Sequence, residues 1–223
     1  MRVIITALGL LIWTTSFGQN CFCDKDTTLS EIVNCDTIKF DNKAKLYWSF
    51  NCDSSWLTFE SPRHFKNVIF TLDLVGYTGR LGFSYAQEYK HKFLIQNRLI
   101  SGCCDPPEFF LLDKTNGEVK DTLTSVIFYS DKRQLPFIIR LAEDNNALTV
   151  YNVDKQKKYF IKLEKGQIKK SLKANDEMFA EYLFDEPILK GTIISLTYLL
   201  DKPVSENIRN TKTIIIDFKK YTY

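Results

Sequence analysis

Short β-type segments that recur at nearly constant spacing are the feature that most limits how this chain can fold. The pattern aromatic-x-Leu/Val-Asp occurs four times, and its aspartates are 40, 41 and 47 residues apart. The four copies are Phe70–Asp73, Phe110–Asp113, Tyr151–Asp154 and Tyr198–Asp201. A strand that ends in a turn every ~40 to 50 residues has the spacing of a propeller blade. We therefore predict an all-β fold with propeller-like blades, and a β-sandwich is the alternative.

Alternation of apolar and polar residues within the segments supports the all-β prediction. In Val68–Leu74, Phe70 and Leu72 fall on one face of an extended chain, whereas Thr71 and Asp73 fall on the other. Aromatic and β-branched residues dominate these segments, as a half-buried pleated surface favours. Similar alternation occurs in four later runs, which are Phe137–Leu141, Tyr159–Leu163, Ile194–Leu200 and Ile214–Phe218.

One segment departs from the strand pattern. Between Ala174 and Phe184, apolar residues including Phe179 and Leu183 recur at the spacing of a helix. Asn175 or Asp176 precedes them and is a suitable N-cap. The sequence therefore predicts one short helix near residues 174–184.

The N-terminus has the layout of a secretory signal peptide. Arg2 precedes an apolar run of eleven residues, Val3–Trp13, and small residues lead up to a cleavage point before Gln19. An apolar run of this length is shorter than the ~20 residues that span a bilayer. We therefore predict a cleaved signal peptide over residues 1–18, a cysteine-bearing lead-in over 19–45, and a single all-β domain over 46–223.

The charge balance argues against two classes of partner. The formal net charge is +3, and it becomes +2 when Arg2 is removed with the signal peptide. So small a charge creates no field that would recruit nucleic acid or an acidic membrane. Asn-x-Ser/Thr glycosylation sites are absent from the sequence, which favours a bacterial protein. We expect it to be secreted, periplasmic or on the cell surface, with no membrane span after signal cleavage.

Six cysteines follow the predicted cleavage point, and an exported chain with an even number of cysteines favours disulfides. The C-x-C and C-C spacings differ from the two to four intervening residues of structural zinc sites, so we predict no metal. Adjacent cysteines in an extended chain point to opposite sides. We therefore predict that Cys103 and Cys104 form structural disulfides with two different cysteines. A vicinal disulfide between Cys103 and Cys104 is the alternative. The six residues are Cys21, Cys23, Cys35, Cys52, Cys103 and Cys104.

Recognisable catalytic arrangements are missing from the sequence. The two histidines, His64 and His91, lie among charged or turn residues, and Ser84 half resembles a nucleophile elbow without its Gly-x-Ser-x-Gly pattern. Neither Asp24–Asp26 nor Asp113–Glu118 has the ligand order of an EF-hand. Phosphate-binding and dinucleotide motifs are also absent. We predict no catalytic residues and no cofactor.

An aromatic cluster supplies the one candidate binding site. If residues 46–50 form a strand, Trp48 faces the core and Tyr47 faces the other way. Trp56 is placed to begin the partner strand of a hairpin. Exposed Tyr or Trp side chains are suited to stacking against a sugar or a peptide. Tyr47 and Trp56 are therefore the candidate ligand-binding residues, and packing in the core is the alternative role for the aromatic residues of this cluster.

Together these features favour an exported binding or interaction protein without enzymatic activity, whose ligand is a protein or a glycan. The alternative is a hydrolase that cleaves an extracellular polymer with two carboxyl groups, as glycosidases do. Two buried carboxyl groups in one pocket would favour the hydrolase, and acidic residues confined to hairpin tips would argue against it.

Overall fold

The protein is described by a computed structural model that covers residues 35–73, 82–98, 105–130, 135–200 and 210–222. Within these ranges the chain forms four antiparallel β-sheets and one α-helix. Each sheet is built from strands that are consecutive in the chain, and neighbouring strands in a sheet are neighbours in sequence. The all-β prediction is therefore confirmed.

The strands of the first two sheets run in chain order. The first sheet contains β1 (Ile38–Lys39), β2 (Lys45–Phe50), β3 (Ser55–Glu60) and β4 (Lys66–Leu72). The second sheet contains β5 (Phe83–Glu88), β6 (Lys92–Asn97), β7 (Glu108–Asp113) and β8 (Val119–Leu123). Strand β1 lies within the predicted lead-in and pairs with β2, so this part of the lead-in belongs to the first sheet.

The last two sheets follow the same plan. The third sheet contains β9 (Val126–Tyr129), β10 (Phe137–Leu141), β11 (Ala147–Asn152) and β12 (Lys157–Lys162). The fourth sheet contains β13 (Ile188–Lys190), β14 (Ile193–Leu199) and β15 (Thr211–Asp217). A simple β-sandwich has two sheets, whereas the described strands form four.

Three hydrophobic clusters join the sheets in series. The first cluster packs Phe59 of the first sheet near Phe93 of the second, and their rings stack with centroids 5.6 Å apart. A second cluster joins the second sheet to the third, where Leu94 and Ile138 are fully buried. A third cluster joins the third sheet to the fourth and includes the stacked rings of Phe137 and Phe218. Each sheet therefore packs on its neighbour in the chain.

Strand β6 of the second sheet and strand β10 of the third sheet are buried on both faces. In β6, Phe93 and Ile95 face the first sheet while Leu94 faces the third. In β10, Phe137 faces the fourth sheet while Ile138 faces the second. Successive side chains of a strand point to opposite faces, so a strand between two layers needs apolar residues at consecutive positions. This explains the continuous apolar runs in these two strands. The alternation expected in Phe137–Leu141 is therefore not observed, since Phe137, Ile138 and Ile139 are all buried.

The α-helix begins earlier than the sequence pattern predicted. Helix α1 spans Gln167–Asn175, and Asp176 ends it in the left-handed conformation instead of capping its start. The predicted range holds instead a short 3₁₀ helix at Ala180–Leu183. The Lys-rich segment before Asn175 has good helix formers and buries Ile168 within the third cluster. Because most residues of this segment are polar, its apolar residues did not show a helical spacing in the sequence.

Tight turns join the strands at the predicted positions. The β7–β8 turn closes when the Gly117 amide donates to the Asp113 carbonyl over 2.9 Å, and Asp113 also accepts from the Thr115 amide over 2.7 Å. Asp154 occupies the matching position after β11 and accepts from the Lys90 amide of the second sheet over 3.0 Å. The two repeat copies ending at Asp113 and Asp154 thus lie at the C-terminal end of the third strand of their sheets. The copy ending at Asp73 lies at the end of a fourth strand, and Asp201 lies outside the described residues.

Candidate functional site

Tyr47 and Trp56 lie on the same face of the first sheet, opposite to its buried face. Tyr47 pairs with Thr58, and Trp56 pairs with Ser49 in the next row. Both aromatic side chains are half-buried, whereas Trp48 is 7% exposed in the first hydrophobic cluster. The structure thus brings the two predicted residues together on one surface. Ligand binding by them stays a prediction.

A polar cluster borders these aromatic residues. Glu60 Oε1 is 3.0 Å from both Lys45 Nζ and His64 Nδ1. Hydrogen bonds from His64 and then Lys45 hold the pKa of the Glu60 carboxyl below its ordinary value. Lys66 lies over the Tyr47 ring, with Nζ 6.0 Å from its centroid. The charged groups at this end of the face are therefore largely engaged with each other.

A shallow groove of about 790 Å³ lies on the third sheet, on the side that faces the second sheet. Arg140, Thr149 and Phe160 form one row across three strands. In the next row, the small residues Ala142 and Ala147 leave space beside them. The Phe160 side chain is 67% exposed. The groove thus offers an apolar surface next to a guanidinium group.

The cations of the groove have no acidic partner within the described part of the chain. Arg140, Lys162 and Lys165 line it, and none of them forms an ion pair or a side-chain hydrogen bond there. Arg140 is half-buried at the middle of the sheet. A guanidinium group presents a planar fork of donors that matches a carboxylate. The groove therefore suits a ligand that carries an anionic group.

The acidic residues of the groove occupy a hairpin tip. Glu143 and Asp144 are both exposed in the β10–β11 turn. Asp144 accepts a hydrogen bond from the Asn146 amide over 3.0 Å, and this turn hydrogen bond lowers the pKa of its carboxyl. Two carboxyl groups that are exposed on a turn do not form the buried pair of a glycosidase.

Sequence reasoning missed this groove, although a signal was present. In the predicted strand Tyr159–Leu163, alternation places Phe160 on the same face as Lys158 and Lys162. An aromatic residue among lysines on the polar face of a strand marks a surface that another molecule can cover. Arg140 carries a similar signal, because it interrupts the apolar strand Phe137–Leu141.

The residues considered for catalysis and metal binding lie apart. His64 contacts Glu60 at the β3–β4 turn, Ser84 is half-buried in β5, and His91 is exposed in the β5–β6 turn. Within the described ranges, no three His, Cys, Asp or Glu side chains cluster as a metal site would require. The structure therefore assembles no catalytic triad from these three residues.

Two of the six cysteines lie in the described ranges. Cys35 and Cys52 are both disulfide-bonded, and neither is a free thiol. Their disulfide connectivity stays a prediction. The other four, Cys21, Cys23, Cys103 and Cys104, fall outside the described residues, as does the predicted signal peptide.

A buried ionic cluster connects the first and second sheets. The Lys114 side chain is 1% exposed, and its Nζ contacts Asp41 Oδ1 and lies 2.5 Å from Glu88 Oε1. The Tyr89 carbonyl accepts a third hydrogen bond from Nζ over 3.0 Å. Lys114 lies in the β7–β8 turn, where hairpin residues of two sheets cover it. Buried charges require such partners.

Comparisons with known proteins give no relative for this chain. No protein-family model matches it, and neither a curated protein nor a solved structure is similar to it. Among the helices of the described ranges, none has the length and apolar character needed to cross a bilayer.

Proposed function

We propose that the chain is an exported, non-enzymatic binding protein, and that the groove on the third sheet holds its ligand. The observation that carries this proposal is Arg140, a half-buried guanidinium group without an ion pair in the described residues, in the same cross-strand row as the exposed ring of Phe160. The ligand has an anionic group for Arg140 and an apolar surface for Phe160. An acidic peptide or an acidic glycan meets both requirements.

Export and a cleaved signal peptide remain part of the proposal. The apolar run of the N-terminus and the even number of cysteines support it. The disulfide-bonded state of Cys35 and Cys52 agrees with an oxidising compartment. We place the mature protein outside the cytoplasm, in the periplasm, at the cell surface or in the medium.

We also propose that the four sheets are blades of a propeller-like arrangement. Three observations support this proposal: consecutive antiparallel strands in each sheet, packing of each sheet on the next, and a hairpin after each of the repeat copies that end at Asp113 and Asp154. Oxidative footprinting of Tyr47, Trp56 and Ile215 tests whether the blades close into a ring. Protection of both end faces would indicate closure, and reactivity of both would indicate an open series.

Tyr47 and Trp56 are a second candidate binding surface. Their position in adjacent rows on one face provides two aromatic rings for stacking. The hydrolase alternative receives no comparable support, because the acidic residues of the groove lie on an exposed turn.

A binding screen tests the proposed function. The mature chain is applied to arrays of neutral and acidic peptides and glycans, and hits are measured at two salt concentrations. We expect acidic ligands to bind, and we expect salt to weaken binding because it screens exposed charges. Binding that is confined to neutral ligands, or no binding in either array, would contradict the proposal.

Paired variants locate the site. Arg140→Gln and Phe160→Ala remove the guanidinium group and the ring, and each is expected to weaken binding about tenfold. Arg63→Gln and Phe65→Ala are the matched controls, because both residues are exposed on the β3–β4 turn and Phe65 is 73% exposed. Tyr47→Ala tests the second surface. If the control variants reduced binding as strongly as the groove variants, the groove would not be the site.

A further inference from the structure

We propose that Lys114 and Asp41 are joined by an intramolecular amide bond, and that Glu88 promotes its formation. The bond would link the β1–β2 hairpin of the first sheet to the β7–β8 hairpin of the second, across 73 residues of the chain. It requires no ligand and no enzyme, and it is independent of the proposed binding function.

The three side chains already have the arrangement that this reaction needs. Lys114 Nζ contacts Asp41 Oδ1, the atom next to the carbon that it would attack. Glu88 Oε1 lies 2.5 Å from the same Nζ, so it can accept a proton from the amine. Holding two reacting groups in contact replaces a collision in solution and lowers the entropic part of the barrier.

Hydrogen bonds hold each participant in place. The Asp41 amide donates to Glu88 Oε1 over 3.1 Å. Asn42 Nδ2 donates to the Lys114 carbonyl over 2.6 Å, and the Lys114 amide donates to the His91 carbonyl over 3.0 Å. The hairpins that carry the amine and the carboxyl group are thus fixed to each other before any covalent bond forms.

Burial is unequal among the three groups, and this inequality suits the reaction. The Lys114 and Glu88 side chains are 1% and 4% exposed, whereas Asp41 is 50% exposed. Electrostatic interactions are strong where water is excluded, and proton transfer between Lys114 and Glu88 occurs in such surroundings. The open side of Asp41 gives the water released by the reaction a path to solvent.

The reaction is a condensation that conserves charge and needs no oxidant. The hydrogen bond from Lys114 holds the pKa of the Asp41 carboxyl below its ordinary value. The balance is written from the ammonium form of Lys114 and the carboxylate form of Asp41. Two protons leave Nζ through Glu88, and both end on the departing Asp41 oxygen as water. The Nζ lone pair attacks Cγ, the C–N bond forms, and one C–O bond breaks. Glu88 is a carboxylate again at the end.

Mass spectrometry of the folded wild-type protein tests the proposal. After reduction of the disulfides, the intact mass is expected to be lower than the sequence mass by one water molecule. Cyclisation of an aspartate also releases water, so the intact mass alone does not identify the amide bond. Mass spectrometry of the tryptic peptides is therefore the second measurement. We expect a branched peptide in which Lys114 is joined to Asp41. Separate, unlinked peptides for these two residues in the folded protein would overturn the proposal.

Substitutions assign the roles. Lys114→Arg and Asp41→Ala are expected to abolish the branched peptide, and Glu88→Gln is expected to slow its formation at least tenfold while both reacting groups remain. Lys120→Arg is the matched control, because Lys120 forms an exposed ion pair with Glu118 on the same hairpin. A branched peptide that forms at the wild-type rate in Glu88→Gln would remove Glu88 from the reaction.

Discussion

The second and third sheets differ from the first and fourth in how many faces they bury. In the inner sheets, strands such as β6 and β10 bury consecutive side chains, from Phe93 to Ile95 and from Phe137 to Ile139. In the outer sheets, β2 and β14 alternate strictly between buried and less buried positions. Whether a strand lies in an inner or an outer sheet, more than its β-propensity, therefore determines where its apolar residues occur.

The outer faces also carry different surfaces. The first sheet presents Tyr47 and Trp56 with a network of ion pairs around Glu60. The fourth sheet presents isoleucines, of which Ile215 is 70% exposed and Ile188 is 57% exposed. Substitutions of the same type in an inner and an outer sheet test this difference in burial through the free energy of unfolding.

The largest effect is expected from a cavity in an inner sheet. Leu94→Ala removes a fully buried side chain between the second and third sheets. We expect the free energy of unfolding to fall by about 2–5 kcal/mol. The matched variant Ile215→Ala, on the outer face of the fourth sheet, should change it by less than about 0.5 kcal/mol. Urea denaturation measures both, and equal effects would contradict the layer assignment.

An intermediate effect is expected where an inner hairpin contacts an outer sheet. Gly117 has a φ of +73°, and a β-carbon at this position would lie 2.7 Å from Phe59 Cδ1. Gly117→Ala therefore adds a steric clash to backbone strain, and we expect a loss of about 3 kcal/mol.

Gly166→Ala separates the two causes of that loss. Gly166 has nearly the same φ, +72°, but no neighbouring atom lies within 4 Å of the added carbon. Backbone strain alone should cost about 1 kcal/mol. Thermal or urea denaturation of both variants measures the difference, and equal losses would show that contact with Phe59 is unimportant.

The smallest effect is expected at the Glu60 network on the outer face. The pKa of the Glu60 carboxyl is lower in the folded chain than its ordinary value of 4.5. The unfolded chain therefore binds a proton at Glu60 more readily than the folded chain does. The contribution of the Glu60 network to the free energy of unfolding is therefore complete above pH 4.5. It is lost as the pH falls through the pKa that Glu60 has in the folded chain.

Acid titration of stability checks this prediction. Glu60→Gln should reduce the loss of stability at acidic pH, and the urea midpoint measured at several pH values is the reading. Glu143→Gln is the control, because Glu143 is exposed and forms no ion pair in the described residues. An unchanged acid profile in Glu60→Gln would mean that the network contributes no measurable stability.

The outer strands were easier to predict from sequence than the inner ones. Alternation in Lys45–Phe50 placed Tyr47 and Trp48 on opposite faces, as the structure has them. An uninterrupted apolar run gives no such information, because a fully buried strand and a buried helix share this pattern. Alternation therefore did not show which strands lie between two layers.

Contacts between sheets were the least predictable feature. Lys114 has the sequence context of an exposed turn, and it is buried because Asp41 and Glu88 arrive from distant parts of the chain. The groove beside Arg140 likewise depends on which face of the third sheet is covered. The helix near Gln167 was misplaced for a different reason, since its apolar residues are few and its polar residues resembled a turn.

The local connection of the strands has a consequence for how the chain folds. Every strand pair in the four sheets joins neighbours in sequence, so each sheet forms without closing a long loop. The contacts between successive sheets form afterwards, and each depends on the sheet before and the sheet after it. If the sheets form an open series, we expect an inner sheet to be held from two sides, whereas an end sheet can open while the others persist.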